Sequence, residues 1–177
     1  MHETTADLEA LQALLDRSYE RAGAHLRDVI TPDRRLSAGA VAGRLQGMTL
    51  LTLATVTADG RPVAGPVDGV FYRGAFHFGS APDSVRMRHI RRRPWVSPTH
   101  LPGEELSVTV HGRAVLLDLH APANGGFRRA LLDVYLPRYG AEWEEFLDAD
   151  SVYARIEADR MFTFSMADGG ETGSRSS

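Results

Sequence analysis

The 177-residue chain contains no cysteine, no lysine and no long apolar run. Without cysteine there are no disulfides, zinc–thiolate centres or thiol nucleophiles. Without lysine, all twenty basic side chains are arginine, so arginine at any one position is weak evidence that it was selected there. No apolar stretch reaches the roughly 18 residues of a membrane span, and MHETTADLEA is acidic where a signal peptide would be basic and then apolar. The expectation is a cytoplasmic protein. The seven histidines show no HExxH or other metal-ligand spacing, and no G-x-S-x-G elbow supports hydrolase chemistry. No metal site is expected.

What is present fits one domain with an added element. Apolar residues make up 43% and charged residues 24%, as in ordinary globular proteins. A net charge of −3 argues against a general nucleic-acid binder. One stretch departs from this balance. SAPDSVRMRHIRRRPW, Ser80 to Trp95, holds five arginines (Arg86, Arg88, Arg91, Arg92, Arg93) against one acid, Asp83.

Leu8, Leu11, Leu15, Tyr19, Ala22, Leu26 and Val29 recur at helical steps, predicting one amphipathic helix of about six turns within residues 1–31. Pro32 breaks it. A second helix is expected from Ser37, an N-cap type, to Gly47. Residues 34–166 are expected to form the main domain. Leu50–Thr57, Val63–Tyr72, Ala75–Gly79 and Leu106–Leu117 read as strands, with a hairpin turn at Asp59-Gly60 and a second turn at Gly74. Phe127, Leu131, Val134 and Tyr135 predict a helix ending near Pro137, followed by a short acidic element around Trp143–Leu147. Val152–Met166 is the expected closing strand, and the polar residues 167–177 are expected to be disordered. Consecutive short strands flanked by helices point to an antiparallel barrel rather than a βαβ sheet.

The arginine segment opens with a helix-start pattern: Ser80, then Asp83 three residues on, with Pro82 in the first turn. A helix N-terminus favours anions through unpaired N–H groups and the helix dipole. Ser80 and Ser84 add hydroxyls. Arg86 is placed to fork onto a phosphate, and Arg88, on another face, to reach a second anionic group. The competing reading is a solvated basic face. Nucleic acid is a rival partner, but only Trp95 offers a base-stacking platform, and that at the segment's end.

The ordered set LATVTADGRP, GPVDGVF, FHFGS, Ser-x-Arg, RRRPWVS and VTVHGRA resembles the split-barrel flavin-binding family that includes the pyridoxamine 5′-phosphate oxidases. Residues 50–118 carry most of the likeness. The N-terminal helix and the segment ALLDVYLPRYGAEWEEF are similar to an actinobacterial branch whose members use flavin or the deazaflavin coenzyme F420.

The resemblance implies a mainly β fold with flanking helices, an antiparallel split barrel of six or so strands, and a homodimer with cofactor between subunits. It implies that Ser84 and Arg86 hold the cofactor phosphate, with Arg88 just beyond and Ser80 ending the strand that leads to it. Val67 and Asp68 lie along the tricyclic ring. Arg86 stands where lysine is frequent in the family, which leaves the mode of phosphate contact open.

The function implied is hydride transfer to or from a small organic molecule by an F420- or FMN-dependent oxidoreductase. F420 is favoured because its extra carboxylates would use Arg88 and Arg91 to Arg93. A cofactor that carries the hydride removes the need for a protein acid/base dyad. The rivals are a non-catalytic carrier of the same cofactor, a haem-binding split barrel and a nucleic-acid module. His77, His100 and His111 are expected to be hydrogen-bonded structural groups, and His89 to contact phosphate or face a carboxylate. Glu142, Glu144 and Glu145 are expected on a solvated helix face. Trp95, Phe71, Phe76 and Phe78 are expected in core or interface.

Overall fold

A computed structural model describes residues 1–166; the expected disordered tail, 167–177, lies outside the described residues. Six antiparallel strands close into a barrel: β1 (Met48–Val56), β2 (Pro62–Tyr72), β3 (Ala75–Ser80), β4 (Trp95–Gly103), β5 (Leu106–Leu117) and β6 (Val152–Ser165), in the order β1-β2-β3-β6-β5-β4. Alternation along β1 sends Leu51 and Leu53 inward to meet Phe76, Phe78, Val108, Val110 and Ile156 in one buried cluster. The barrel has the expected split-barrel form.

β4 is a strand where the sequence pattern predicts none. WVSPTHLPG carries Pro98 and Pro102, which weaken a strand pattern because proline cannot donate to a ladder. Pro98 is nonetheless buried opposite Leu53, and the β4–β5 register shifts between His100 and Gly103.

The expected six-turn N-terminal helix is two helices. α1 (Thr5–Glu20) starts at a capping box between Thr4 and Asp7, and α2 (Ala24–Val29) starts from Gly23 in an extended conformation. Gly23, a poor helix former, lets the chain turn there. α1 also supplies hydrogen bonds to β6. Beyond Arg155, β6 pairs with β5 alone, which leaves one edge without a strand neighbour. Ser18 Oγ accepts the Met161 N–H at 2.9 Å, and the Tyr19 hydroxyl accepts the Thr163 N–H at 2.8 Å while donating to the Thr163 carbonyl at 2.7 Å. Two helix side chains thus satisfy an edge that would otherwise expose backbone groups.

α3 (Ala38–Arg44) is capped by Ser37 Oγ, which accepts the Ala40 N–H, and plugs one end of the barrel with Val41 and Ala42. The N-cap of α4 (Val85–Arg92) falls four residues later than expected. Ser84, not Ser80, is the N-cap, and Ser80 ends β3. α5 (Gly125–Tyr139) runs past Pro137 and stops at Gly140, whose φ of +81° ends the helix. Proline removes only one backbone donor in that last turn. α6 (Glu142–Asp150) follows. α5 and α6 pack outside the barrel in a second cluster, where Phe127, Leu131, Tyr135 and Leu147 meet Val70 and Tyr153. Among the described residues no helix is long and apolar enough to cross a membrane.

Candidate functional site

The β2–β3 ladder sets the site's position. It runs only from Tyr72↔Ala75 to Gly69↔Phe78, whereas β2 continues against β1 down to Pro62. From Asp68 downward, β2 therefore has no β3 partner, and α4 lies across the opening. Arg86 reaches over it. Its Nη2 donates to the Pro66 carbonyl at 2.8 Å and its Nη1 to Ser80 Oγ at 3.3 Å. Ser80 Oγ donates to Ser84 Oγ at 3.0 Å, and Ser84 Oγ accepts the Met87 N–H at 3.2 Å as helix cap. By strand alternation, the Asp68 N–H and carbonyl face the same opening as the Pro66 carbonyl.

Of the predicted residues, Ser80, Ser84 and Arg86 thus converge. The others go elsewhere. Val67 turns its side chain into the barrel core, so only its backbone belongs to the opening. Asp68 points outward into a separate cavity beside Ser80. Arg88 folds back to donate to the Asp83 carbonyl and lines a shallow basin with Arg61, His89 and Arg92. Arg88 thus sits on a different face of the short helix α4 from Arg86.

The electrostatics of the convergent group are unusual. Arg86 is partly buried, and burial pushes its guanidinium pKa down from the ordinary value, which means its charge is under-solvated. Its two partners are a neutral hydroxyl and a carbonyl. Among the described residues, none of the five arginines of Ser80–Trp95 has a carboxylate within salt-bridge distance. Arg88, Arg91 and Arg93 donate instead to the carbonyls of Asp83, Pro82 and Ala58. A partly desolvated guanidinium without a carboxylate partner, beside two hydroxyls and a helix N-terminus, fits a phosphate group.

Beside it lies a feature not expected from the sequence. A cavity of about 240 Å³ opens between Asp68, Gly79 and Ser80 on the barrel and Tyr135, Tyr139, Trp143, Phe146 and Tyr153 around it. Tyr135 stacks on Trp143 with centroids 4.5 Å apart and planes 15° apart. Gly79 makes room for this wall, because a Cβ there would lie 2.6 Å from the Tyr153 ring. Burial raises the phenol pKa values of Tyr135 and Tyr153, and the Asp68 carboxylate adds to the shift in both. Both phenols are neutral donors at ordinary pH. The legible signal was Tyr135, Tyr139, Trp143 and Phe146 at steps of four, four and three. Glu144 is not merely solvated as expected: Arg128 on α5 binds Glu144 at 2.9 Å and Asp148 at 2.8 Å, fixing α6 over the cavity.

The histidines are held locally. His100 Nδ1 meets the Leu50 carbonyl at 2.9 Å and His111 Nδ1 meets Ser97 Oγ at 2.8 Å. His89 Nδ1 lies 3.0 Å from Thr55 Oγ1, not against a phosphate-binding group or a carboxylate as expected. Among the described residues no three His, Asp or Glu side chains gather as a metal site.

The sequence pattern of the pyridoxamine 5′-phosphate oxidase family matches residues 38–163, well over half the chain. The chain belongs to this family. The match spans the barrel and both sides of the Arg86 opening. No curated protein matches the chain in sequence. Structurally, this family member is similar to the conserved hypothetical protein Rv2991 of Mycobacterium tuberculosis, with a TM-score of 0.61 at 22% identity over 80% of this chain and 98% of that one. It is also similar to a FAD-binding protein of Mesorhizobium loti, with a TM-score of 0.56 at 25% identity over 73% and 93% of the two chains. The haem storage protein HutZ of Vibrio cholerae shares the fold too, with a TM-score of 0.53 at 17% identity over 66% and 85%. One barrel therefore serves proteins with different named ligands, and the choice among them falls to the site residues.

Proposed function

We propose that the chain is a homodimeric oxidoreductase that binds a phosphorylated flavin-type cofactor, F420 in preference to FMN, and exchanges a hydride with a small organic molecule. One observation carries the reading: Arg86 is partly desolvated, has no carboxylate partner among the described residues, and is held beside Ser80 and Ser84 at the N-terminus of α4. Such a charge is stabilised by an anion that brings its own oxygen atoms.

In this reading Arg86, Ser80 and Ser84 hold the phosphate, and the unladdered β2 backbone at Val67 and Asp68 borders the ring. When bound, the cofactor supplies the hydride-carrying centre. The chain's part is to bind it, orient it and shield it from water. Arg88 and Arg92, on the basin beyond α4, give a longer anionic tail a second contact, which favours F420. The dimer is supported by outward-facing apolar side chains on neighbouring strands: Leu50 on β1 and Trp95 and Leu101 on β4 are 61%, 57% and 63% exposed.

Titration of the purified protein with F420 and FMN, followed by fluorescence and by reduction of candidate acceptors, tests the proposal. Saturable binding of F420 or FMN with turnover supports it. Tight binding without turnover of any acceptor makes the chain a carrier. A Soret band on adding haemin, with neither cofactor bound, makes it a haem protein. Salt-sensitive binding of nucleic acid, unaffected by either cofactor, replaces the proposal with a nucleic-acid module.

A further inference from the structure

The cavity beside Ser80 has a wall and a charge of different kinds. The wall is aromatic, with the stacked rings of Tyr135 and Trp143, the Tyr139 ring 6.0 Å from Tyr135 at 21°, and Phe146 and Tyr153 closing the sides. Aromatic faces carry negative quadrupole density, which attracts cations as well as flat apolar groups. The one ionisable acid in the lining is Asp68, and it has no basic partner within salt-bridge distance among the described residues. Among the described residues no arginine or histidine lines the cavity. The arginine-rich site and this cavity thus stand on opposite sides of Ser80, one wanting an anion and the other a cation.

We propose that this cavity is the substrate subsite and that it takes a planar organic cation, a protonated or N-alkylated aromatic heterocycle without a phosphate of its own. The inference rests on the reading that Ser80, Ser84 and Arg86 hold the cofactor, because Ser80 then joins the two sites. Size agrees: roughly 150 Å³ suffices for benzene, so 240 Å³ admits a two-ring system. Asp68 pairs with the positive nitrogen while Trp143 and Tyr135 stack on the ring. The same carboxylate makes the cavity a poor seat for the anionic, reduced ring of the cofactor, and for any phosphorylated or carboxylated substrate. The Arg128 clamp on Glu144 and Asp148 holds α6, and with it Trp143 and Phe146, in place beforehand, so little ordering remains when a ligand enters.

Three bicyclic probes of matched size separate charge from shape: N-methylquinolinium, neutral quinoline at pH 8, and naphthalene-2-sulfonate. Calorimetric titration should give the cation an affinity about tenfold or more above quinoline, with the sulfonate weakest. Asp68→Asn, at an exposed position, should bring the cation down to the level of quinoline, and Tyr139→Ala should weaken both. Arg86→Ala should leave all three unchanged. Equal affinities for cation and neutral ring would overturn the proposal, as would an Asp68→Asn protein that binds the cation as wild type does, or no binding of any probe. Parallel titration of Arg86→Ala with F420 and FMN isolates the other reading. Undiminished cofactor affinity there removes the phosphate assignment, whatever the cation probes report.

Discussion

Arg86 on α4 donates to the carbonyl of Pro66 on β2 at 2.8 Å, across the gap where β2 has lost its partner strand. The bond orients the guanidinium along the opening and uses one of its two outer nitrogens. The other, 3.3 Å from Ser80, makes a long and easily exchanged contact. A phosphate oxygen arriving beside Ser80 would find a donor already aimed and already stripped of part of its water.

Arg86→Ala should therefore weaken cofactor binding on the order of 10- to 150-fold, the scale of a hydrogen bond to a charged group at about 1.5–3 kcal/mol. Arg92→Ala, on the exposed far turn of α4, should cost much less, because its contact with the cofactor tail is solvent-screened, and should cost FMN nothing. Fluorescence titration of both variants checks the contrast. Equal small losses would mean a diffuse positive patch. Arg86→Lys should keep the charge yet lose the fork between Pro66 and Ser80, so its affinity should fall between wild type and alanine.

His77 gives a pH prediction. Its ring is buried on the outer face of β3, 4.2 Å from the Phe127 ring by centroids, and Nδ1 lies 3.1 Å from the Ala75 carbonyl. Since a carbonyl only accepts, Nδ1 carries the proton of the neutral ring. Burial pushes the pKa from 6.5 down to about 4, with nearby Arg155 adding to the shift, while the Ala75 bond opposes it. The folded protein thus resists protonation that the unfolded chain accepts. The stabilising contribution is complete above pH 6.5 and is lost as pH falls from there toward 4. The loss should be on the order of 3 kcal/mol. Urea midpoints measured from pH 7.5 to 4 should fall in wild type and flatten in His77→Gln within that window. Asp7, whose pKa is lowered by its bond to the Thr4 backbone, acts below that range.

The barrel was legible because β1, β2 and β3 carry strand-forming runs joined at Gly60 and Gly74, both at positive φ, and β5 carries a long run of its own. β4 was not, because two prolines hide a strand whose place is fixed by tertiary pairing with β1 and β5. At the site, Ser84 and Arg86 could be read from local spacing. That Arg88 lies on a face apart from Arg86 follows from the same helical spacing, whereas its bond to the Asp83 carbonyl depends on where the helix starts. The aromatic wall was obscured because its residues lie on two helices separated by Gly140, whose packing on Tyr153 is a long-range fact. The two-helix N-terminus had the same cause: apolar steps continue through Gly23 while the backbone does not.

Tyr19→Phe tests whether α1 is structural to the barrel. The hydroxyl serves both the N–H and the carbonyl of Thr163, a residue with no exposed surface. Phenylalanine keeps the ring, its edge contact with Phe162 and the Arg35 guanidinium 4.3 Å above it, but leaves both backbone groups without that partner. The expected loss is about 2–4 kcal/mol, from a scale of roughly 1–3 kcal/mol per unsatisfied buried group. Chemical denaturation should show it as a lower midpoint at unchanged slope. A loss below about 0.5 kcal/mol would mean that the β6 edge finds water or a new partner.

The dimer is tested at the strand face opposite the barrel interior. The pairing Thr52↔Thr99 places Leu50 next to Leu101 on adjacent antiparallel strands, both facing away from the core, with Trp95 on the same face of β4. These side chains are mostly exposed and lie outside the buried core. Exchanging them for charge should spare the fold while removing apolar area from any subunit contact, since exposed substitutions of this kind usually shift stability by under about 0.5 kcal/mol. Sedimentation at micromolar concentration should find wild type as a dimer and the Leu50→Glu/Leu101→Glu protein as a folded monomer. If the cofactor lies between subunits, that monomer should also lose cofactor affinity although Arg86, Ser80 and Ser84 are intact. Wild type that sediments only as monomer refutes the dimer directly. A double variant that remains dimeric moves the subunit contact to another face of the barrel.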